Sequence, residues 1–279
     1  MTEAFPHFSP DPLPAGSRVA CRVEYDGRHY SGWQAQPHLD VDTVQESLEA
    51  ALARVANEPV RVHCAGRTDT GVHGFGQVVH FDDPVGRSPK AWVLGTNASL
   101  PASVRLHWAQ QVGPGFHARF SATSRRYRYL IYNSAIRPAQ LDGLVTWQRR
   151  PLDASLMDQA AQQMLGERDF SAFRAASCQA STPMRDMQAI SVSRHGALIA
   201  IDFRANAFLH HMVRNIAGTL MMIGSGQAHP NWVAELLEAG DRRVAADTAP
   251  AAGLYLVEVS YPDTFNLPVP PPGPALLPG

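Results

Sequence analysis

The predicted strands and helices follow one order twice, and this repeat constrains the fold more than any other feature of the sequence. Apolar residues alternate with polar ones in the predicted strands and recur every three or four residues in the predicted helices. The first series occupies residues 18–25, 43–56, 60–65, 76–82, 88–98 and 104–112. The second occupies residues 125–133, 152–165, 187–194, 197–204, 208–224 and 254–261, with an additional helix at 231–240. The sequence therefore predicts an α+β fold of two β-α-β-β-α-β halves, with a cleft between them.

Proline-rich segments bound this repeat at both ends. Residues 1–17 and 263–279 are predicted to be tails that add no strand or helix to a core. The predicted N-terminal half spans residues 18–114, and the predicted C-terminal half spans residues 115–262.

The charge of the chain limits how it can attract a polyanion. The sequence contains 24 basic and 25 acidic residues, which gives a net charge of -1. Such a chain has no general field that draws polyanions or anionic membranes, so any nucleic-acid site has to be a local patch. The sequence is 45% hydrophobic over 279 residues, which is enough to bury a core and predicts a globular protein.

Cysteine usage and the lack of long apolar runs predict a cytoplasmic protein. Cys21, Cys64 and Cys178 lie far apart and form no CxxC pair, so neither a disulfide framework nor a zinc knuckle is indicated. The N-terminal residues lack the positive and apolar segments of a secretory leader. No apolar run approaches the roughly 18 residues that span a bilayer, so we expect no membrane contact.

The triplet Asp69-Thr70-Gly71 has three possible interpretations. An aspartic protease of one chain needs a second such triplet and an all-β fold, and the sequence predicts neither. A simple turn fits the residue types, since Asp and Gly are common in turns. The connection between the two flanking strands is longer and richer in glycine than a hairpin requires, however, so a catalytic aspartate beside Arg67 stays open as well.

Four long motifs resemble the tRNA pseudouridine synthase A family, in the same order and spacing along the chain between the tails. They are AGRTDTGVHGFGQVVHF (65–81), FHARFSATSRRYRYLIYN (116–133), AFLHHMVRNIAGTLM (207–221) and GLYLVEVSYP (253–262). The resemblance implies isomerisation of uridine to pseudouridine at tRNA positions 38, 39 and 40, in the anticodon stem-loop. It also implies a homodimer without metal or organic cofactor, whose two ferredoxin-like halves surround a central basic cleft.

The same resemblance assigns roles to single residues. Asp69 matches the family's catalytic aspartate, and Arg214 matches the arginine that pairs with it. Tyr127 matches the residue that stacks on the target base, and Leu254 matches an apolar wall of the base pocket. Arg67 is expected to fill the gap that the target nucleotide leaves in the stem.

The densest basic cluster of the chain lies in and before one predicted strand. Its members are Arg119, Arg125, Arg126 and Arg128, and they are predicted to hold tRNA phosphates. Strand alternation places Tyr127 on the face opposite Arg126 and Arg128. An ordinary solvated face is the alternative for such a cluster.

The histidines do not predict a metal site, because none of them has the spacing of a known ligand set. Those considered are His63, His73, His80, His210 and His211.

Two other functions stay compatible with the motifs. A module that only holds or refolds tRNA is one, although such a protein would usually lack a catalytic residue, and Asp69, Tyr127 and Arg214 are all present. A synthase acting on a different RNA is the other, since the shape of the site sets specificity.

Overall fold

The computed structural model describes residues 8–269 and 272–274 and divides the chain into two compact units. The first unit consists of Met1–Thr123 with Val259–Pro272, and the second of Ser124–Glu258 with Gly273–Gly279. The predicted halves met at residue 114, whereas the first unit extends to Thr123 and includes a later segment. Parts of both predicted tails, residues 1–7, 270–271 and 275–279, lie outside the described residues.

The first unit is built on an antiparallel sheet. Its strands are β1 (Arg18–Tyr25), β2 (His63–Cys64), β3 (His73–Asp82) and β4 (Val104–Val112). Strand β1 lies between β3 and β4, and β2 pairs with β3. Helix α1 (Val44–Ala56) begins at Thr43, whose hydroxyl accepts a hydrogen bond from the Glu46 amide and donates to the Glu46 carboxylate. Leu48 and Leu52 of α1 are fully buried in the core of this unit.

Two elements of the first unit differ from the sequence prediction. The strand expected over residues 60–65 forms only at His63–Cys64, because the amide of Val62 donates to the side chain of Glu49 at 3.0 Å instead of to a strand. The helix expected over residues 88–98 contains a wide π turn, Ala91–Gly95, which is followed by α2 (Thr96–Ser99).

The predicted C-terminal tail does not separate from the first unit at residue 263. A short 3-10 turn covers Asp263–Phe265, and the Phe265 ring packs against Phe116 at 5.0 Å. The side chain of Gln110 donates to the carbonyl of Asn266 at 2.9 Å. The start of this segment therefore belongs to the packed structure.

The strands of the second unit follow the order β10-β5-β9-β8-β7, with β6 parallel to β5. The strands are β5 (Ser124–Asn133), β6 (Thr146–Gln148), β7 (Gly166–Asp169), β8 (Met184–His195), β9 (Leu198–Ala205) and β10 (Leu254–Ser260). Its helices are α3 (Ala154–Ala161), α4 (Met212–Gly224) and α5 (Trp232–Ala239). The short strands β6 and β7 were not predicted. Within the described residues, the helices are all too short or too polar to cross a lipid bilayer.

Candidate active site

The loop that carries Asp69 runs between β2 and β3 and is anchored by the residue before the aspartate. The carbonyl of Thr68 accepts a hydrogen bond from the Trp33 amide at 3.0 Å. The Thr68 hydroxyl lies 2.8 Å from the hydroxyl of Tyr25, and all three of these side chains are buried. The backbone is therefore held in place at the residue immediately before Asp69.

The residues after Asp69 form a tight turn. The amide of Val72 donates to the carbonyl of Asp69 at 3.1 Å, and Gly71 has a φ of 77°, which glycine adopts without strain. Val72 is buried, whereas Asp69 is half-buried and Arg67 is exposed. The structure thus anchors the backbone on both sides of Asp69 and leaves part of its carboxylate accessible.

At the start of the same loop, the main chain of Gly66 is hydrogen-bonded to a side chain instead of to a neighbouring strand. The buried Gln77 donates to the carbonyl of Gly66 at 2.6 Å and accepts from the amide of Gly66 at 3.4 Å. Cys64, at the end of β2, is not a competing nucleophile, because burial raises the pKa of its thiol to about 11. Asp69 is the acidic residue of this loop.

Gly27 packs directly against the other end of the loop. A Cβ atom on Gly27 would lie 2.1 Å from the carbonyl oxygen of Val72, a distance that real Cβ atoms essentially never show. The amide of Gly27 donates to Nδ1 of His73 at 3.2 Å, and the same nitrogen lies 3.3 Å from the carboxylate of Asp26. The sequence prediction did not include Gly27, since a glycine in an Asp-Gly pair is expected in any turn.

Tyr127 lies in β5, paired with Phe203 of β9. Its ring is 9% exposed and packs edge-on against Phe208, with the ring centroids 5.1 Å apart. Tyr127 is therefore recessed, and only a small part of its surface is open to a stacking base.

Arg214 lies in the first turn of α4, after His211, which has a φ of 61°. Its Nε donates to the carbonyl of Ala249 at 2.7 Å, and the amide of Ala249 donates to the carbonyl of Arg214 at 3.2 Å. Arg214 is also close enough to Tyr129 to oppose electrostatically the strong rise in the pKa of that phenol, which burial causes. The guanidinium is thus oriented by the segment that precedes β10.

That segment connects α4 with β5. The carbonyl of Pro250 accepts a hydrogen bond from the hydroxyl of Tyr129 at 2.8 Å. Thr248 donates to the side chain of Asn215 on α4 at 2.6 Å. Leu254 follows as the first residue of β10 and is 5% exposed. Within the second unit, three of the predicted site residues, Tyr127, Arg214 and Leu254, therefore belong to elements joined by one connecting segment. Asn215 and Thr248 support this segment, and the sequence did not indicate either of them.

Arg126 and Arg128 form an ion-pair ladder with three residues of neighbouring strands, Asp202, Arg204 and Glu258. Arg126 lies 3.1 Å from Asp202 and 3.0 Å from Glu258, Arg128 lies 3.0 Å from Asp202, and Arg204 lies 3.1 Å from Glu258. Both arginines contact Asp202, as expected for two side chains on the same face of a strand. The side chain of each is 15% exposed. Their role in holding phosphates stays a prediction, but phosphates would have to compete with carboxylates. Arg119 is exposed, and Arg125 is half-buried and donates to the Asn206 carbonyl at 3.0 Å.

We expect the double substitution Arg126→Ala and Arg128→Ala to have two measurable effects. The free energy of unfolding should fall by roughly 2–4 kcal/mol, because Asp202 loses both partners of a largely buried ion pair. The dependence of tRNA affinity on salt should become shallower by about one unit in logarithmic slope for each phosphate that the variant no longer binds. Denaturant titration and binding assays at several salt concentrations measure the two effects.

The matched control for this experiment is the pair Arg54→Ala and Arg168→Ala, two exposed arginines outside the ladder. This control should leave the free energy of unfolding nearly unchanged. A ladder variant with wild-type salt dependence would remove Arg126 and Arg128 from the substrate-binding residues.

Comparison with known proteins identifies the family. The family model described as tRNA pseudouridine synthase matches residues 22–121 and 160–262. The chain belongs to this family. The tRNA pseudouridine synthase A of Photobacterium profundum is 56% identical over 261 residues, which cover 94% of this chain and 99% of that protein. That of Escherichia fergusonii is 55% identical over 264 residues, covering 95% and 97%.

These matches confirm the resemblance and the α+β fold that the sequence predicted. The two matched ranges of the tRNA pseudouridine synthase model include Asp69, Arg214 and Leu254, while Tyr127 falls in the interval between them. A chain from a solved structure of a Cbf5-Nop10-Gar1 complex aligns with 10% identity and a TM-score of 0.32, over 85% of this chain and 57% of that one. That likeness is too weak to bear on the fold or the site.

Proposed function

We propose that this chain isomerises uridine to pseudouridine at positions 38, 39 and 40 of the anticodon stem-loop of tRNA. The observation that carries the proposal is the identity of 55–56% with proteins named tRNA pseudouridine synthase A, over nearly the whole length of both chains. The anchored loop around Asp69 supports it, because the family resemblance assigns the chemistry to this residue.

The reaction exchanges one bond to the ribose for another. The N1–C1′ glycosidic bond of uridine breaks, the uracil turns while it is still held, and C5 bonds to C1′. The hydrogen on C5 leaves to solvent, and N1 takes up a proton from water. The composition of the RNA is unchanged, so the reaction itself consumes no co-substrate.

In this proposal Asp69 supplies the ionised carboxylate beside the ribose. Attack on C1′ and removal of a proton from C2′ are both routes that need such a group. Arg214 keeps that carboxylate charged, as a cation within a few Å does. Tyr127 stacks on the uracil after its bond to the ribose breaks, and Leu254 forms an apolar wall.

The remaining assignments concern how the tRNA is held. Arg67 is exposed next to Asp69 and takes the place of the extruded nucleotide in the stem. The clustered arginines, Arg119, Arg126 and Arg128 among them, contact phosphates. We also propose that the protein works as a homodimer in the cytoplasm, without metal or organic cofactor.

A tritium-release assay tests the proposed function. Anticodon-arm RNA that carries tritium at C5 of uracil should release label to water when mixed with this protein, without ATP, nicotinamide or added metal. Release should stop at the number of eligible uridines, because each uracil carries one hydrogen on C5 and that carbon is bonded to C1′ in the product. The RNA should keep its length and its mass apart from the exchanged label.

Each alternative function gives a different result in this assay. A nuclease or glycosidase would shorten the RNA or free uracil. A module that only holds tRNA would bind the anticodon arm and retain all tritium, and that outcome would replace the proposal. A synthase for a different RNA would release label from that RNA and not from anticodon arms.

A further inference from the structure

Four aromatic rings of the first unit form a cluster of neighbouring rings that ends at the surface. The ring centroids of His63 and His80 lie 5.0 Å apart, those of His80 and His117 lie 4.6 Å apart, and those of His117 and Phe120 lie 4.3 Å apart. His80 is 2% exposed, whereas Phe120 is 75% exposed. His63, at the other end of the cluster, is exposed as well, so the buried His80 lies in its middle and Phe120 is the ring that projects furthest into solvent.

The turn that carries Phe120 is fixed by its own hydrogen bonds. The amide of His117 donates to the hydroxyl of Ser121, and the amide of Ser121 donates back to the carbonyl of His117, both at 2.9 Å. Nδ1 of His117 accepts from the amides of Arg119 and Phe120 at 3.1 and 3.3 Å. Since the turn is already ordered, a partner that binds Phe120 loses little conformational entropy.

The exposed ring of Phe120 lies beside the planar guanidinium group of Arg119. The guanidinium carbon of Arg119 lies 5.5 Å from the centroid of the Phe120 ring. A rigid, exposed aromatic ring beside an arginine is the combination on which unpaired RNA bases stack, with the cation next to the phosphate backbone. A second copy of this chain would be expected to cover an apolar patch, but the ring that packs against Phe120 is the imidazole of His117.

The imidazoles beneath Phe120 favour the same ligand. Burial lowers the pKa of His80 to about 4, and burial together with the nearby His63 and Arg18 lowers the pKa of His117 as well. Both rings are therefore uncharged at neutral pH, and the one that packs against Phe120, His117, adds an uncharged aromatic ring beneath it. A pocket of about 290 Å³ lies beside them, and Arg18 and Arg61 contribute to its lining.

We propose that Phe120, supported by His117 and flanked by Arg119, is a stacking platform for an unpaired base of the bound tRNA, in addition to the residues assigned to the reaction. The proposal deepens the proposed function and rests on it, because it names a further contact with the same RNA. It assigns tRNA affinity to Phe120 and no part in the chemical step.

The test compares two substitutions that separate ring shape from apolar area. Phe120→Leu keeps an apolar side chain without a flat ring, and it should weaken tRNA binding about 5- to 100-fold. Phe120→Tyr keeps the ring and should bind tRNA like the wild type. The single-turnover rate at saturating RNA should be unchanged in both variants. Leu94→Ala, which alters another exposed apolar residue of the same unit, should change neither quantity.

A direct readout accompanies the affinities. Ultraviolet irradiation of the complex with wild-type protein should attach a nucleotide to the tryptic peptide of residues 120–125, FSATSR, which mass spectrometry detects. Thermal melting should be the same for all variants, because the substituted side chain is mostly exposed.

Several outcomes would overturn the proposal. They are wild-type tRNA affinity in Phe120→Leu, loss of binding in Phe120→Tyr, and a change in sedimentation of Phe120→Leu that shows this ring at a contact between two copies of the chain. If the wild type releases tritium and only these results appear, the stacking platform fails and the proposed function stands. If the wild type binds anticodon arms through Phe120 but releases no tritium, the platform stands and the proposed function fails.

Discussion

Asp69→Asn should reduce pseudouridine formation by about 10³-fold or more while tRNA affinity stays within a few-fold of the wild type. The amide keeps the shape of the side chain but cannot act as an ionised carboxylate. The turn around residue 69 depends on the main-chain bond between the Val72 amide and the Asp69 carbonyl, which the substitution leaves in place. The substitution also leaves in place the arginines that we propose to contact phosphates and to carry the affinity.

Single-turnover tritium release and equilibrium binding measure the two parts of this prediction separately. Asp40→Asn, a substitution of an exposed aspartate elsewhere in the first unit, is the matched control and should retain full turnover. An Asp69→Asn protein with even a tenth of wild-type turnover would show that another group performs the chemistry.

Gly27→Ala should lower the single-turnover rate about 10²-fold although residue 27 is not assigned to the reaction. The new methyl group would sit 2.1 Å from the carbonyl of Val72, so the loop that carries Asp69 must move by more than about 1 Å to restore an ordinary contact. A displacement of this size in a reacting group costs about 10²-fold in rate. The free energy of unfolding should fall by roughly 1–3 kcal/mol at the same time.

Gly113→Ala is the control for this substitution, because a Cβ atom there meets nothing within 4 Å. Its rate and stability should match the wild type. Turnover at the wild-type rate in Gly27→Ala would mean that the position of this loop does not limit the reaction, and it would weaken the role proposed for Asp69.

The sequence predicted the parts of this fold that depend on local periodicity. Helix α1 begins at Thr43 because its capping residues lie three positions apart, a pattern visible in the sequence itself. The strand expected at residues 60–65 was wrong over most of its length, since Glu49 takes the amide of Val62. A side chain thirteen residues away leaves no periodic signal, so that contact could not be predicted.

In the candidate site, too, the sequence indicated the residues themselves but not the long-range contacts that position them. The family motifs named Asp69, Tyr127 and Arg214, but the contacts that position them come from distant segments, such as Gly27 against Val72 and Ala249 against Arg214. The cluster of Arg126 and Arg128 was visible as charge. Its carboxylate partners lie on strands more than seventy residues away along the chain, so the sequence could not show that this charge is largely neutralised.

The ion-pair ladder has a consequence for how this protein can change during evolution. The ladder consists of five charged side chains on three adjacent strands. Its two carboxylates pair with three guanidinium groups. Loss of Asp202 alone would take that carboxylate from Arg128 and leave it beside Arg126, which keeps Glu258, on a largely buried surface where like charges repel. Substitutions at residues 126, 128, 202, 204 and 258 should therefore covary among relatives, with a neutral residue at one position accompanied by a compensating change at another.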